Sequence, residues 1–122
     1  MSYKSFGDFL HAKRMEKGVS YRELAEVIQV TAPYISDIEK GRRNAPVMDK
    51  LKILSDYFAL TKEEEIQMLD LAGEKKNDLP PDLPGYIKGN TAAVTALRTA
   101  RDLGANEQDW QRFVDDLKKR KG

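Results

Sequence analysis

Residues 20–41 read SYRELAEVIQVTAPYISDIEKG. Ser20-x-x-Glu23 is a capping box, in which a hydroxyl and a carboxylate pair the orphan N–H groups of a helix's first turn. Leu24, Ala25 and Ile28 supply a buried stripe at helical spacing. Gln29-Val30 turns the chain. Thr31 is placed to cap a second short helix, with Pro33 in the first turn, where its missing N–H is not needed. Ile35 and Ile38 face inward, and Gly41 ends the segment. Ala32, Pro33, Ser36, Asp37 and Lys40 share the opposite face, with Arg42 and Arg43 directly after it.

Around this pair of helices the chain reads as helical throughout. Upstream, residues 5–17 form a helix capped by Ser5, with Phe6, Phe9 and Leu10 on one face and Gly18 as terminator. Downstream, Pro46 opens a helix over 46–59, in which Val47, Leu51, Leu54 and Phe58 repeat at core spacing and Ile53 and Tyr57 widen the apolar face. Thr61-x-x-Glu64 is a second capping box. It opens a helix through Ile66, Leu69 and Ala72 to Gly73, and the acids Glu63, Glu64 and Glu65 suit that helix's dipole.

The composition changes at residue 74. Residues 74–90 hold Pro80, Pro81 and Pro84 without a regular period, yet Leu79, Leu83, Tyr86 and Ile87 make them unlike a solvated linker. An ordered strap is expected, with one helical turn near Leu83 to Lys88. Residues 91–122 then read as a helical hairpin. Thr91 caps a helix with Val94, Leu97, Ala100 and Leu103 inside, ended by Gly104. Asn106 caps a second, with Trp110, Phe113, Val114 and Leu117 at i, i+3, i+4, i+7. A hairpin of this length cannot bury a core by itself. Its apolar residues must pack back on the rest of the chain or on another molecule.

Composition narrows the function. The 122 residues carry 21 Lys+Arg against 20 Asp+Glu, a net charge of +1. That excludes a sequence-indifferent polyanion binder, which depends on a large positive charge. There is no Cys, and no apolar run fits a secretion signal or a membrane helix, so a cytoplasmic protein is expected. Catalytic classes fail on inventory: no Cys nucleophile, no histidine pair for a metal, no glycine-rich phosphate loop. No enzyme activity, cofactor or metal is expected. His11, the single histidine, has no evident carboxylate constellation and reads as a surface or partly buried residue. Lys50 and Lys52 read as solvated.

Leu10, Arg14, Gly18, Ser20, Glu23, Leu24, Ala25, Val30, Thr31, Tyr34, Ile35, Ser36, Ile38, Glu39, Gly41 and Arg42 together form a specific pattern. On these residues the stretch Phe6 to Leu60 resembles the lambda-repressor-like (XRE-type) helix-turn-helix family. The resemblance implies an all-α chain: a five-helix lambda-repressor-like DNA-binding domain over 1–73, the Pro-containing strap over 74–90, and the hairpin over 91–122 for dimerisation or partner binding. It implies a sequence-specific regulator of transcription whose helix 31–40 enters the major groove of double-stranded DNA. Positions that read bases in the family fall on Ala32, Pro33, Ser36 and Asp37. Those that hold phosphates fall on Ser20, Tyr21, Tyr34, Lys40, Arg42 and Arg43. The family pairs the positions of Arg14 and Glu39 as a salt bridge between helices.

Three departures from the family matter. Tyr21 stands where Gln is frequent, and on the Leu24/Ile28 stripe it also reads as a half-buried core tyrosine. Ala32 and Pro33 offer bases only apolar contact. Asp37 can accept from cytosine N4 but repels phosphates. Direct readout is therefore expected to be thin, with dimer spacing or DNA shape adding specificity. The hairpin, through Val94, Leu97, Trp110, Phe113, Val114 and Leu117, is expected to make a homodimer, and the chain to act as a repressor. The rival is an antitoxin of a toxin–antitoxin operon, which binds a protein toxin and autoregulates. A third reading is a protein-interaction module that does not bind DNA.

Overall fold

A computed structural model of the chain describes residues 2–121. Among these residues there are eight α-helices and no strand: α1 Phe6–Lys17, α2 Tyr21–Ile28, α3 Ala32–Glu39, α4 Met48–Tyr57, α5 Lys62–Lys75, α6 Leu83–Lys88, α7 Thr91–Leu103 and α8 Glu107–Lys121. The chain divides into two compact units, one running through Gly85 and the other starting at Tyr86. The boundary falls inside α6, so the strap is shared between them.

The first unit owns the core. Phe6, Phe9 and Leu10 of α1, Leu24, Ala25 and Ile28 of α2, and Ile35 and Ile38 of α3 are buried together with Leu51 and Leu54 of α4 and Met68, Leu69, Leu71 and Ala72 of α5. Each large side chain removed from water contributes about 1.5–3 kcal/mol. The end of each helix follows local chemistry. Ser5 accepts from the Asp8 amide, Ser20 and Glu23 exchange both bonds of a capping box, and Thr61 and Glu64 do the same. Gly18 adopts φ +70°, and its amide reaches back to the Arg14 carbonyl. The turn between α2 and α3 places Gln29 at φ 57°, left-handed without being glycine, and the Val30 amide returns to the Ala25 carbonyl at 2.9 Å.

Several expectations are corrected here. α4 starts at Met48, not Pro46; Pro46 is buried and Val47, the N-cap residue, is 67% exposed instead of belonging to the core. Ile53 and Ile66 are also exposed. Gly73 does not end α5. The helix continues to Lys75, the left-handed residue is Asn77, and Gly73 is buried because the strap crosses it. A Cβ on Gly73 would lie 2.7 Å from the Leu79 carbonyl oxygen and 2.8 Å from the Pro80 nitrogen. The acids that open α5 do more than serve its dipole: Glu64 pairs with Lys13 of α1, and Glu65 accepts from the buried Ser55 of α4 at 2.9 Å.

The second unit is the hairpin. Asn90 caps α7, its side chain accepting from the Ala93 amide; Thr91 is the first helical residue and not the cap. Gly104, at φ +71°, ends α7. Asn106 and Asp109 exchange two bonds at the start of α8, of 2.9 and 3.0 Å. Trp110 and Phe113 meet edge to face, 6.3 Å between centroids. No side chain of α7 or α8 is buried. Leu103, expected inside, is 82% exposed, and Leu97, Trp110, Phe113, Val114 and Leu117 all remain open.

Candidate nucleic-acid interface

α2 and α3 lie against each other through Leu24, Ile28, Ile35 and Ile38, and this packing turns the other side of α3 outward. Pro33 and Lys40 are exposed, while Ala32, Tyr34, Ser36 and Asp37 are half-buried. The exposed face carries few donors, as the residue types require. Its basic groups are Lys40 at the C-cap and the arginines of the loop that follows.

That loop is folded back onto α3. Gly41 takes φ +77°, and the Arg42 amide donates to the Asp37 carbonyl at 2.8 Å, a closing bond of a helix C-terminus. The Arg42 guanidinium is then 3.9 Å from the Asp37 carboxylate. The Arg43 guanidinium stacks over the Tyr34 ring, 4.6 Å from its centroid. Asp37 thus has a cation beside it, and the carboxylate that would repel a phosphate is partly neutralised. At 3.9 Å the contact is an exposed charge pair and not a hydrogen bond, so it lowers the local negative charge without filling the carboxylate's acceptor positions.

At the start of α2 the capping box uses the Ser20 and Glu23 amides. The Tyr21 and Arg22 amides are the first-turn donors left without an intrahelical acceptor, the kind of group that holds an anion. The Ser20 hydroxyl accepts within the cap and retains its own hydrogen for donation. Tyr21 is half-buried, with the Arg14 guanidinium 4.2 Å from its ring centroid. Its ring belongs to the α1–α2 packing.

Arg14 organises the back of the motif. Its Nε donates to Glu39 at 2.7 Å, one Nη to the other Glu39 oxygen at 3.1 Å, and the second Nη to the Val19 carbonyl at 3.0 Å. Glu39 holds the guanidinium yet more firmly protonated, against the opposing effect of burial. His11 is not remote from carboxylates as expected: its Nδ1 lies 2.8 Å from Glu39 and 3.4 Å from Arg14. The three-residue spacing of His11 and Arg14 on α1 is the signal that placed them together. At the same end of α3, Gly7 of α1 comes so close that a Cβ would lie 2.6 Å from the Ile38 carbonyl oxygen and 2.7 Å from that of Glu39.

Two lysines without a role in the sequence pattern complete the motif. Neither α2 nor α3 has a basic residue in its last turn, where a cation offsets the negative end of the helix dipole. Both are served from outside. Lys50 of α4 donates to the Ile28 carbonyl at 2.7 Å, so it is not merely solvated. Lys75 of α5 donates to the Gly41 carbonyl at 2.8 Å. The absence of a last-turn cation in α2 was visible in the sequence, whereas α3 carries Lys40 at its C-cap; which lysines reach the Ile28 and Gly41 carbonyls depends on tertiary packing. Lys52 is exposed. Among the described residues no three His, Cys, Asp or Glu side chains cluster as metal ligands, and no helix is long and apolar enough to cross a membrane.

Comparison with known proteins agrees with this geometry. Residues 5–67 match the model of a helix-turn-helix domain, just over half of the chain. The chain is 29% identical over 125 residues to a protein of Deinococcus deserti named HTH-type transcriptional regulator DdrOP3, covering 90% of this chain and 93% of that one. No solved structure matches. The helix order, the capped α2–turn–α3 unit and the family match agree, and the chain belongs to the lambda-repressor-like (XRE-type) helix-turn-helix family.

Proposed function

We propose that this chain is a DNA-binding transcription regulator of the cytoplasm, a homodimeric repressor that inserts α3 into the major groove of double-stranded DNA. The observation that carries the reading is the outward face of α3 with Arg42 and Arg43 folded alongside it. The major groove admits one helix, and residues at its N-terminal end meet base edges. Ala32, Pro33, Ser36 and Asp37 are the base-facing set. Ser20, Tyr34, Lys40, Arg42 and Arg43 hold phosphates, with the Tyr21 and Arg22 amides at the start of α2. The Tyr21 side chain acts through its packing on Arg14. The name of the Deinococcus relative supports a regulatory role.

The dimer rests on the hairpin. Val94, Leu97, Trp110, Phe113, Val114 and Leu117 leave an apolar face with no buried member, and a second copy packed on it gives an isologous helical interface. Half-sites are then separated by about 34 Å or a multiple of that. Gel shift against the gene's own upstream region tests the DNA reading. No shift there, with no genomic fragment recovered in a pull-down, overturns it. Light scattering of the full chain tests the dimer, with Phe113→Glu as the disrupting variant. A wild-type monomer points instead to a different protein on that face, the arrangement of an antitoxin.

A further inference from the structure

The lysine at the end of α5 is the feature of the motif that the family match does not reach, since the matched residues stop at 67. Lys75 reaches across 34 positions of sequence to the Gly41 carbonyl. That carbonyl stands just outside the bonds that close α3: the Lys40, Gly41 and Arg42 amides take the carbonyls of Ser36, Ile38 and Asp37. It is exposed and lies outside the helix's own ladder, and the Lys75 ammonium is the side-chain donor that reaches it. Lys75 is itself held in place, because α5 closes with the Asp78 amide on the Gly73 carbonyl and the strap lies against Gly73. The residue it grips is the hinge from which Arg42 and Arg43 depart.

We propose that Lys75 is a positioning residue for DNA binding: its ammonium on the Gly41 carbonyl fixes the loop that carries Arg42 and Arg43 to the phosphates. The proposal rests on the DNA reading above. Lys50 is its internal control. It makes the same kind of bond, to Ile28 at the end of α2, but no phosphate-directed arginine follows Ile28.

The test uses the full chain as Lys75→Met, Lys75→Arg and Lys50→Met. The first readout needs no DNA. In 15N relaxation, the amides of Gly41 to Asn44 become mobile in Lys75→Met, remain rigid in Lys50→Met, and regain rigidity in Lys75→Arg, whose guanidinium can donate to the same carbonyl. The second readout is binding to a random-sequence duplex, because phosphate contacts are independent of sequence. Lys75→Met is expected to bind roughly threefold to tenfold more weakly, with a log K against log salt slope shallower by about 0.9 for each phosphate no longer neutralised. Adding Arg42→Ala and Arg43→Ala to Lys75→Met should then cost less than it does in the wild type. Unchanged loop relaxation in Lys75→Met overturns the proposal. So does full additivity with the arginine variants, which makes Lys75 a phosphate ligand in its own right. If the wild type binds no duplex, the DNA reading fails, and the relaxation data still decide whether Lys75 holds the loop.

Discussion

The Arg14 guanidinium grips the Glu39 carboxylate with two hydrogen bonds, of 2.7 and 3.1 Å, and so ties α1 to the last residue of α3. Only 10% and 3% of the two side chains remain exposed. A nearly buried pair of this kind fixes geometry more than it adds stability, because desolvation offsets most of the attraction. Removing one partner is different, since the other is left charged and unpaired. Glu39→Ala is expected to lose about 3 kcal/mol. The double variant Arg14→Met/Glu39→Leu should lose less than Glu39→Ala alone. Urea unfolding followed by circular dichroism measures both, and a Glu39→Ala loss below about 1 kcal/mol contradicts the assignment.

Lys13 and Glu64 contribute to the acid limb of the stability profile. The Lys13 ammonium, with help from the Thr61 amide, holds the Glu64 carboxyl down at about 2, against an ordinary 4.5. A depressed carboxyl stabilises the fold above its unfolded value and loses that contribution as pH falls towards its folded one. The window is therefore pH 4.5 down to about 2. Lys13 is raised by the same partner, so the pair contributes through neutral pH and is lost at the other extreme only in strong base, when the ammonium gives up its proton. Glu64→Gln preserves the capping box with Thr61 and removes the charge. Wild type should be the more stable protein at pH 6, and the two unfolding midpoints should converge as pH approaches 2. Parallel curves across that range would assign Glu64 no role beyond the cap.

Gly7 and Gly73 reverse the usual rule for helical glycine. In an open helix interior Gly→Ala stabilises by about 1 kcal/mol. Here a Cβ on Gly7 meets the Ile38 and Glu39 carbonyls below 3 Å, and one on Gly73 meets the Leu79–Pro80 backbone. Backbone cannot rotate away as a side chain can, so overpacking of about 1–3 kcal/mol is expected at each site. Thermal unfolding of Gly7→Ala and Gly73→Ala should show lower midpoints. Gly85→Ala, where a Cβ meets nothing, is the comparison that should not.

What was legible in the sequence was local. Ser20 with Glu23 and Thr61 with Glu64 announce helix starts because the capping bonds span three residues. The α3 face of Ala32, Pro33, Ser36 and Asp37 follows from helical spacing alone. The errors arise where a distant segment decides. Gly73 looks like a terminator because glycine commonly ends helices, yet it is there to admit the strap. Val47 fits the core period of α4 but precedes its first turn. Asn90 and Thr91 are both good caps, and only the backbone distinguishes them. Lys50 and Lys75 carry no local signal of the carbonyls they find, whereas the spacing of His11 from Arg14 pointed to Glu39 only once Arg14 was paired with it. At the candidate interface the residues of α3 were readable, whereas the draping of Arg42 on Asp37 and of Arg43 on Tyr34 required the turn at Gly41.

Asp37 offers the sharpest test of how α3 meets DNA. A carboxylate that reads cytosine N4 contributes about 1–3 kcal/mol of discrimination at one base pair. One engaged by Arg42 does not, and its charge opposes the phosphates. The 3.9 Å approach of Arg42 favours the second behaviour. Asp37→Ala is therefore expected to tighten binding to every duplex and to steepen the salt dependence, since one repelling charge is gone and Arg42 is released to the backbone. Arg42→Ala and Arg43→Ala should each flatten the salt slope by about 0.9 without changing the order of preference among sequences. In a base-by-base operator series, losses near the upper end of about 1–3 kcal/mol should be absent at most positions facing Ala32 and Pro33, whose side chains offer only apolar contact. An Asp37→Ala variant that loses affinity at a single cytosine, with its salt slope unchanged, would show the carboxylate reading that base.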